Sequence, residues 1–184
     1  MRGNTVCRIE SAGHASSLAS PYNEAMNQEL EFDIVIAGGG MVGTSLARLL
    51  ADLGTGGRPC RIALLDRVAF EPDKTPFHVQ PERYDPRVSA LTQASKALFS
   101  ELGIWRHIAD MRQCPYDKMQ VWDAEGTGSI QFRAHEVHQS DLGSIVENSV
   151  ISSALHQGLS EQSNLTYFAP FNLTSVKRDA SDTL

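Results

Sequence analysis

Phe32-Asp33-Ile34-Val35-Ile36-Ala37-Gly38-Gly39-Gly40-Met41-Val42-Gly43 is the stretch that decides the fold of this 184-residue chain. A short β-branched, apolar run that ends abruptly in three glycines reads as a buried parallel strand entering a tight turn. Beyond the turn, Val42, Leu46, Leu49, Leu50 and Leu53 recur at helical spacing and predict an amphipathic helix with these residues inward and Gly54 as its stop. After a Gly- and Pro-containing loop, Arg61-Ile62-Ala63-Leu64-Leu65-Asp66 reads as a second buried strand with an acid at its carboxyl end. Strand, helix and strand make a βαβ unit and place the chain in the α/β class.

The same stretch carries chemistry. Gly38-Gly39-Gly40-Met41-Val42-Gly43 fits G-x-G-x-x-G, in which Gly38 makes the turn, Gly40 lets a pyrophosphate approach the backbone and Gly43 allows close helix packing. The helix that opens at Met41 and Val42 aims unbonded N–H groups and the positive end of its dipole at an anion. Asp66 lies 23 residues after Gly43, the spacing at which a carboxylate accepts hydrogen bonds from ribose hydroxyls and disfavours a 2′-phosphate. Isolated glycines often make nothing more than a turn. The flanking strand, helix and acid favour a dinucleotide, and leave FAD and NAD both open.

Elsewhere the chain reads more coarsely. Residues 1–30 are small and polar without a period, an expected mobile leader. Residues 67–86 hold four prolines and form a long loop. A helix is predicted to follow, with Val88, Leu91, Leu98, Phe99 and Leu102 inward and Gly103 closing it. Alternation in Met119, Val121, Ile130 and Phe132 on either side of Ala124-Glu125-Gly126-Thr127-Gly128 predicts a β-hairpin belonging to a different subdomain. Helical spacing returns at Val150, Ile151, Ala154, Leu155 and Leu159, and Leu165-Thr166-Tyr167-Phe168 reads as another strand.

With 41% hydrophobic and 21% charged residues the composition is that of an ordinary globular protein. A net charge of -6 without a Lys/Arg cluster argues against nucleic acid as a partner. Cys7, Cys60 and Cys114 are an odd number without a C-x-x-C pair and suggest neither a disulfide framework nor a zinc site, as expected of a reducing, cytoplasmic compartment. No stretch reads as a signal peptide or a membrane span.

Three further stretches carry a resemblance: Tyr84-Asp85-Pro86-Arg87-Val88-Ser89-Ala90-Leu91; Pro115-Tyr116 followed by Met119-Gln120-Val121-Trp122-Asp123; and Leu142-Gly143-Ser144-Ile145-Val146-Glu147-Asn148-Ser149-Val150-Ile151. In that order the chain resembles the ubiquinone-biosynthesis FAD-dependent hydroxylases from about Phe32 to about Pro170, most of all their 2-octaprenylphenol 6-hydroxylase branch, and only their N-terminal portion. The resemblance implies a para-hydroxybenzoate-hydroxylase-like fold, a Rossmann-type FAD-binding domain interrupted by a β-hairpin of the substrate domain, with the C-terminal half of the family fold absent. It divides the chain into a leader over 1–30, the first part of the FAD-binding domain over 31–115, a β excursion over 116–146 and a return to the FAD-binding domain over 147–184.

The implied activity is that of a monooxygenase hydroxylating a polyprenylated phenol with O2. NAD(P)H reduces the FAD, a flavin hydroperoxide carries the chemistry, and no catalytic side chain is needed. Peripheral contact with the inner membrane, self-association and association with other ubiquinone-biosynthesis proteins are compatible with such a role. The resemblance adds Arg87, as a partner of a cofactor phosphate, and Asn148, near the phosphate-ribityl region, to a cofactor set of Gly38, Gly40, Met41, Val42, Gly43, Asp66 and Arg67. The plain alternatives are a salt bridge from Arg87 to Asp85 or Glu82 and an N-cap at Asn148. Two other readings stay open: a non-catalytic nucleotide-binding fragment of such an enzyme, and an FAD- or NAD-dependent dehydrogenase of another family. His135 and His138 lack a third ligand, so no metal is expected, and Trp105 and Trp122 are expected in a core.

Overall fold

In the computed structural model of the chain, the described residues are 7–9, 30–52, 54–55, 58–76, 80 and 82–176. They form, in order, β1 (Cys7–Ile9), β2 (Leu30–Phe32), β3 (Ile34–Ala37), α1 (Met41–Ala51), β4 (Gly54–Thr55), β5 (Arg58–Pro59), β6 (Ile62–Leu65), β7 (Val88–Thr92), α2 (Gln93–Glu101), α3 (Trp105–Met111), β8 (Cys114–Tyr116), β9 (Lys118–Trp122), β10 (Ser129–Arg133), β11 (Gly143–Glu147), α4 (Asn148–Gln157) and β12 (Leu165–Phe168). Two compact units divide them: residues 1–69 with 159–184, and residues 70–158. Of the expected leader, residues 1–6 and 10–29 lie outside the described residues, and Cys7–Ile9 pairs antiparallel with Leu30–Phe32.

The first unit is built on a parallel sheet ordered β12-β6-β3, with Ile34 and Leu165 both aligned on Ile62. All four residues of the central strand β6 are buried. Successive side chains of a strand point to opposite faces, so Ile62 and Leu64 join Ile36, Ala47, Ala51, Cys60, Leu159 and Leu165 in one core, while Ala63 and Leu65 pack with Phe32 in another. Phe168 meets Phe32 edge-on, with ring centroids 5.8 Å apart. At the start of β3, both carboxylate oxygens of Asp33 take the Arg58 guanidinium, at 2.7 and 2.8 Å, and Oδ2 also accepts the Arg61 N–H. The Arg58 hydrogen bonds, then the Arg61 N–H, hold this carboxyl down at about 2.

Helix α1 forms as predicted, and Leu50 of the expected face packs partly buried against the core, but the rest of the inward face differs. Its buried residues are Thr44, Ala47, Arg48 and Ala51, whereas Val42 is 83% exposed and Leu46 44%. Small side chains let a helix lie close to a sheet, and that close approach outweighs the larger burial the leucines alone would favour. Leu53 lies outside the described residues.

The second unit holds an antiparallel sheet ordered β7-β11-β8 and the separate hairpin β9-β10. The hairpin forms as predicted, with Ile130 opposite Val121 and Phe132 opposite Met119. The helix predicted from Val88 does not begin there: Val88–Thr92 is a strand paired with β11, and the helix starts at Gln93, capped by Thr92 Oγ1, which accepts the Ser95 N–H. Only Leu91 of that strand is buried, its neighbours alternating outward as a strand requires. The expectation of a core position for Trp122 is also corrected, since it is 69% exposed on the β9-β10 hairpin; Trp105 is half-buried under the Lys96 ammonium.

Candidate functional site: a glycine turn and its carboxylate

Each glycine of the turn between β3 and α1 answers a different requirement. Gly38 has φ 116°, which L side chains rarely adopt, and its N–H donates to the Leu65 carbonyl of β6 at 2.8 Å. A Cβ on Gly43 would lie 1.9 Å from the Gly38 carbonyl oxygen, so a side chain there would force the first turn of α1 away from the loop. Gly40 has neither requirement. It is the N-cap of α1 with φ -72° and ψ -177°, open to any residue, and a Cβ on it would meet nothing within 4 Å. Glycine is also not the best cap; Ser or Asp would satisfy an N–H that Gly40 leaves without a side-chain partner.

The first helical hydrogen bond runs from Thr44 N–H to the Gly40 carbonyl at 2.9 Å. The N–H groups of Met41, Val42 and Gly43 precede it and have no helical carbonyl to reach, so they face outward from the turn. Thr44 is fully buried and its hydroxyl donates to the Gly39 carbonyl at 2.9 Å, fixing the loop from beneath. Open space over Gly40 beside a ring of N–H donors, with no acid in the first turn, is an anion cradle made of backbone.

Asp66, directly after β6, closes the other side. Its Oδ2 accepts the Gly39 N–H at 2.6 Å and its Oδ1 the Val68 N–H at 3.0 Å, so the carboxylate is held in one orientation. Each oxygen keeps a lone pair to accept a hydroxyl. Gly39 is buried, and a Cβ on it would stand 2.9 Å from Asp66 Oδ2 and 3.1 Å from the Tyr167 ring. Gly39 therefore belongs to the site, although the G-x-G-x-x-G pattern marks it only as x. The available signal was that Gly occupies the x position. Arg67 follows Asp66 and is exposed.

The predicted residues Arg87 and Asn148 lie in the second unit. The Arg87 side chain is 81% exposed, with Nε 3.9 Å from Asp85 Oδ1, a contact at the limit of an ion pair. Asn148 is the first residue of α4 rather than its cap, which is Glu147. Its N–H donates to the Arg87 carbonyl at 2.9 Å and its Oδ1 accepts the Ser89 hydroxyl at 2.7 Å. Asn148 thus ties β11 and α4 to the Arg87 segment. The groups behind this arrangement, Glu147 and Arg112, were not singled out by sequence.

No family model matches the chain. Named relatives do. The chain is 40% identical over 151 residues to ubiquinone biosynthesis monooxygenase COQ6, mitochondrial, of Danio rerio, covering 80% of this chain and 30% of that protein. It is 36% identical over 146 residues to 3-demethoxyubiquinol 3-hydroxylase of Escherichia coli, covering 79% of this chain and 34% of the enzyme. Among solved structures, PqsL of Pseudomonas aeruginosa, a probable FAD-dependent monooxygenase, superposes with a TM-score of 0.57 at 15% identity, over 81% of this chain and 35% of that one. The resemblance drawn from the motifs is borne out, and the α/β fold is shared with part of the FAD-dependent monooxygenases. The chain spans about a third of the length of these relatives.

Proposed function

Taking the chain as a counterpart of the N-terminal third of the ubiquinone-biosynthesis monooxygenases, we propose that its glycine turn and Asp66 bind the adenosine-diphosphate part of FAD. The observation that carries this is Gly40, a glycine for which the fold has no use. Its use is external: without a Cβ, the backbone N–H groups of the first turn of α1 come within hydrogen-bond distance of a pyrophosphate. Asp66 then accepts the ribose hydroxyls, and its two backbone donors keep it aimed at them. On the second unit, Asn148 holds the backbone of the exposed Arg87.

The whole polypeptide, on this reading, hydroxylates the ring of a polyprenylated phenol in ubiquinone biosynthesis, with O2 and a nicotinamide reductant. Bound flavin supplies the redox chemistry and oxygen activation. The residues of this chain bind and orient it. Among the described residues no helix is long and apolar enough to cross a membrane, so contact with a lipid-borne substrate is proposed to be peripheral.

The test is the visible absorption spectrum of the purified chain after incubation with FAD and gel filtration. A stoichiometric two-band flavin spectrum that is lost in Gly40→Ala supports the FAD site. Retention of ADP without flavin identifies a nucleotide-binding fragment, and retention of neither refutes the proposal.

A further inference from the structure

Asp66 is held by hydrogen bonds at its backbone and at its side chain, all within the first unit. Its N–H donates to the Phe168 carbonyl at 2.9 Å and its carbonyl accepts the Phe171 N–H at 2.7 Å, so the end of β12 and the residues after it fix the backbone. Its carboxylate takes the Gly39 N–H at 2.6 Å and the Val68 N–H at 3.0 Å. The carboxylate is the less secure part, because it turns about two side-chain bonds and has other staggered positions to occupy unless a neighbour bars them.

Tyr167, on β12, stands where such a neighbour is needed. A Cβ on Gly39 would lie 3.1 Å from Tyr167 Cε2 and 3.1 Å from Asp66 Cβ, so the phenol ring and the aspartate side chain converge on one point over Gly39. The Tyr167 hydroxyl reaches the carbonyl of Val68, the residue whose N–H holds Asp66 Oδ1, at 3.5 Å, a long and weak bond. The contacts form a closed circuit from the Tyr167 ring through Gly39, Asp66 and Val68 back to Tyr167. The other end of the ring packs against the core cluster that contains Ile36, Ala47 and Ile62. Leu165, two residues earlier and on the same face of β12, shows that an aliphatic side chain serves that core. What an aliphatic residue lacks is a rigid plane that spans from the core to the Asp66 turn.

We propose that Tyr167 is a positioning residue for Asp66: its ring closes the space into which the carboxylate would otherwise swing and keeps the carboxylate turned to the ribose hydroxyls of a bound adenosine. This rests on the reading of Asp66 given above.

The probes that test it are ADP and 2′-deoxy-ADP, titrated calorimetrically into the 184-residue chain, with a thermal melt of each variant. A carboxylate that accepts the 2′-hydroxyl is expected to make the wild type prefer ADP by about 10-fold. Tyr167→Leu keeps an apolar contact with the core but removes the ring, and the preference is expected to fall below about 3-fold as the hydrogen bond loses its alignment. Tyr167→Phe keeps the ring and loses only the long bond to Val68, so it is expected to retain the wild-type preference. A merely structural Tyr167 weakens both nucleotides alike and leaves their ratio at the wild-type value in Tyr167→Leu; that outcome overturns the proposal while the ribose reading of Asp66 stands. Loss of the preference in Tyr167→Phe also overturns it, since the ring is then not the agent. If the wild-type chain binds both nucleotides equally, or neither, the ribose reading of Asp66 fails first and the proposal with it. Should Tyr167→Leu melt below the assay temperature, Tyr167→Met, whose flexible chain fills irregular gaps, takes its place with the same expectations.

Discussion

Gly40→Ala separates what the fold needs from what a ligand needs. The added methyl meets no atom within 4 Å, and the backbone at φ -72° and ψ -177° accommodates alanine without strain. Alanine is a poorer N-cap than glycine by about 0.5 kcal/mol or a little more. It also restricts the unfolded chain, which returns about 0.4–1 kcal/mol. The two nearly cancel, and at roughly 2–4 °C per kcal/mol for a chain of this size the melting temperature is expected to move by less than about 3 °C. The methyl does occupy the space through which a pyrophosphate reaches the first-turn N–H groups. Losing one such charge-assisted bond costs about 1.5–3 kcal/mol, a fall in FAD affinity of about 10- to 100-fold. Gly43→Ala is the control. Its Cβ would stand 1.9 Å from a backbone oxygen where about 3.3 Å is a normal approach, and overpacking of that kind costs about 1–3 kcal/mol or more. Circular-dichroism melts and FAD fluorescence titrations of the two variants decide the matter. If Gly40→Ala binds FAD like the wild type, or loses more than about 5 °C of melting temperature, the argument from an unneeded glycine is wrong.

Three further outcomes follow from the same geometry. Gly39→Ala is expected to push Asp66 from its place and weaken FAD about 5- to 10-fold with little change in melting temperature, since the displaced atoms are side-chain ones; an unchanged Kd would show that the aim of Asp66 does not matter. Asp66→Asn turns an N–H donor toward Gly39 N–H or Val68 N–H, and an unsatisfied donor of this kind costs about 1–3 kcal/mol, so stability and FAD affinity are both expected to fall; a variant matching wild type in both would refute the pairing. Asp33, with its folded value lowered from 3.8 to about 2 by Arg58 and then by the Arg61 N–H, contributes stability that is fully present above its unfolded value and lost as pH falls through the folded one. Acid titration of wild type against Asp33→Asn is therefore expected to differ in slope between about pH 4 and pH 2 and to run parallel above about pH 5, and parallel curves throughout would refute the assignment.

The motif G-x-G-x-x-G and its acid were legible because every part of them is local. A strand that ends in glycine, a helix that starts after it and a strand that ends in Asp66 are each written in consecutive residues, and the hairpin of β9 and β10 is written in strict alternation about a Gly-rich turn. Val88–Thr92 was not legible as a strand because its partner β11 lies far along the chain, and without a partner its apolar residues fit helical spacing equally well.

What the sequence determined by itself was the order of elements and the chemistry of the turn, since backbone conformation at Gly38 and the spacing from Gly43 to Asp66 follow from residue type and count. Tertiary structure decided which face of α1 turns inward, because the sheet admits Ala47 and Ala51 closely and leaves Val42 and Leu46 outside. It also decided that Gly39 serves Asp66 and that Glu147 accepts from Arg112 and from the Asp85 N–H. Those contacts join residues 27, 35 and 62 positions apart, and no local pattern records them, because hydrogen bonds at such separations exist only once the strands that carry them have been brought side by side.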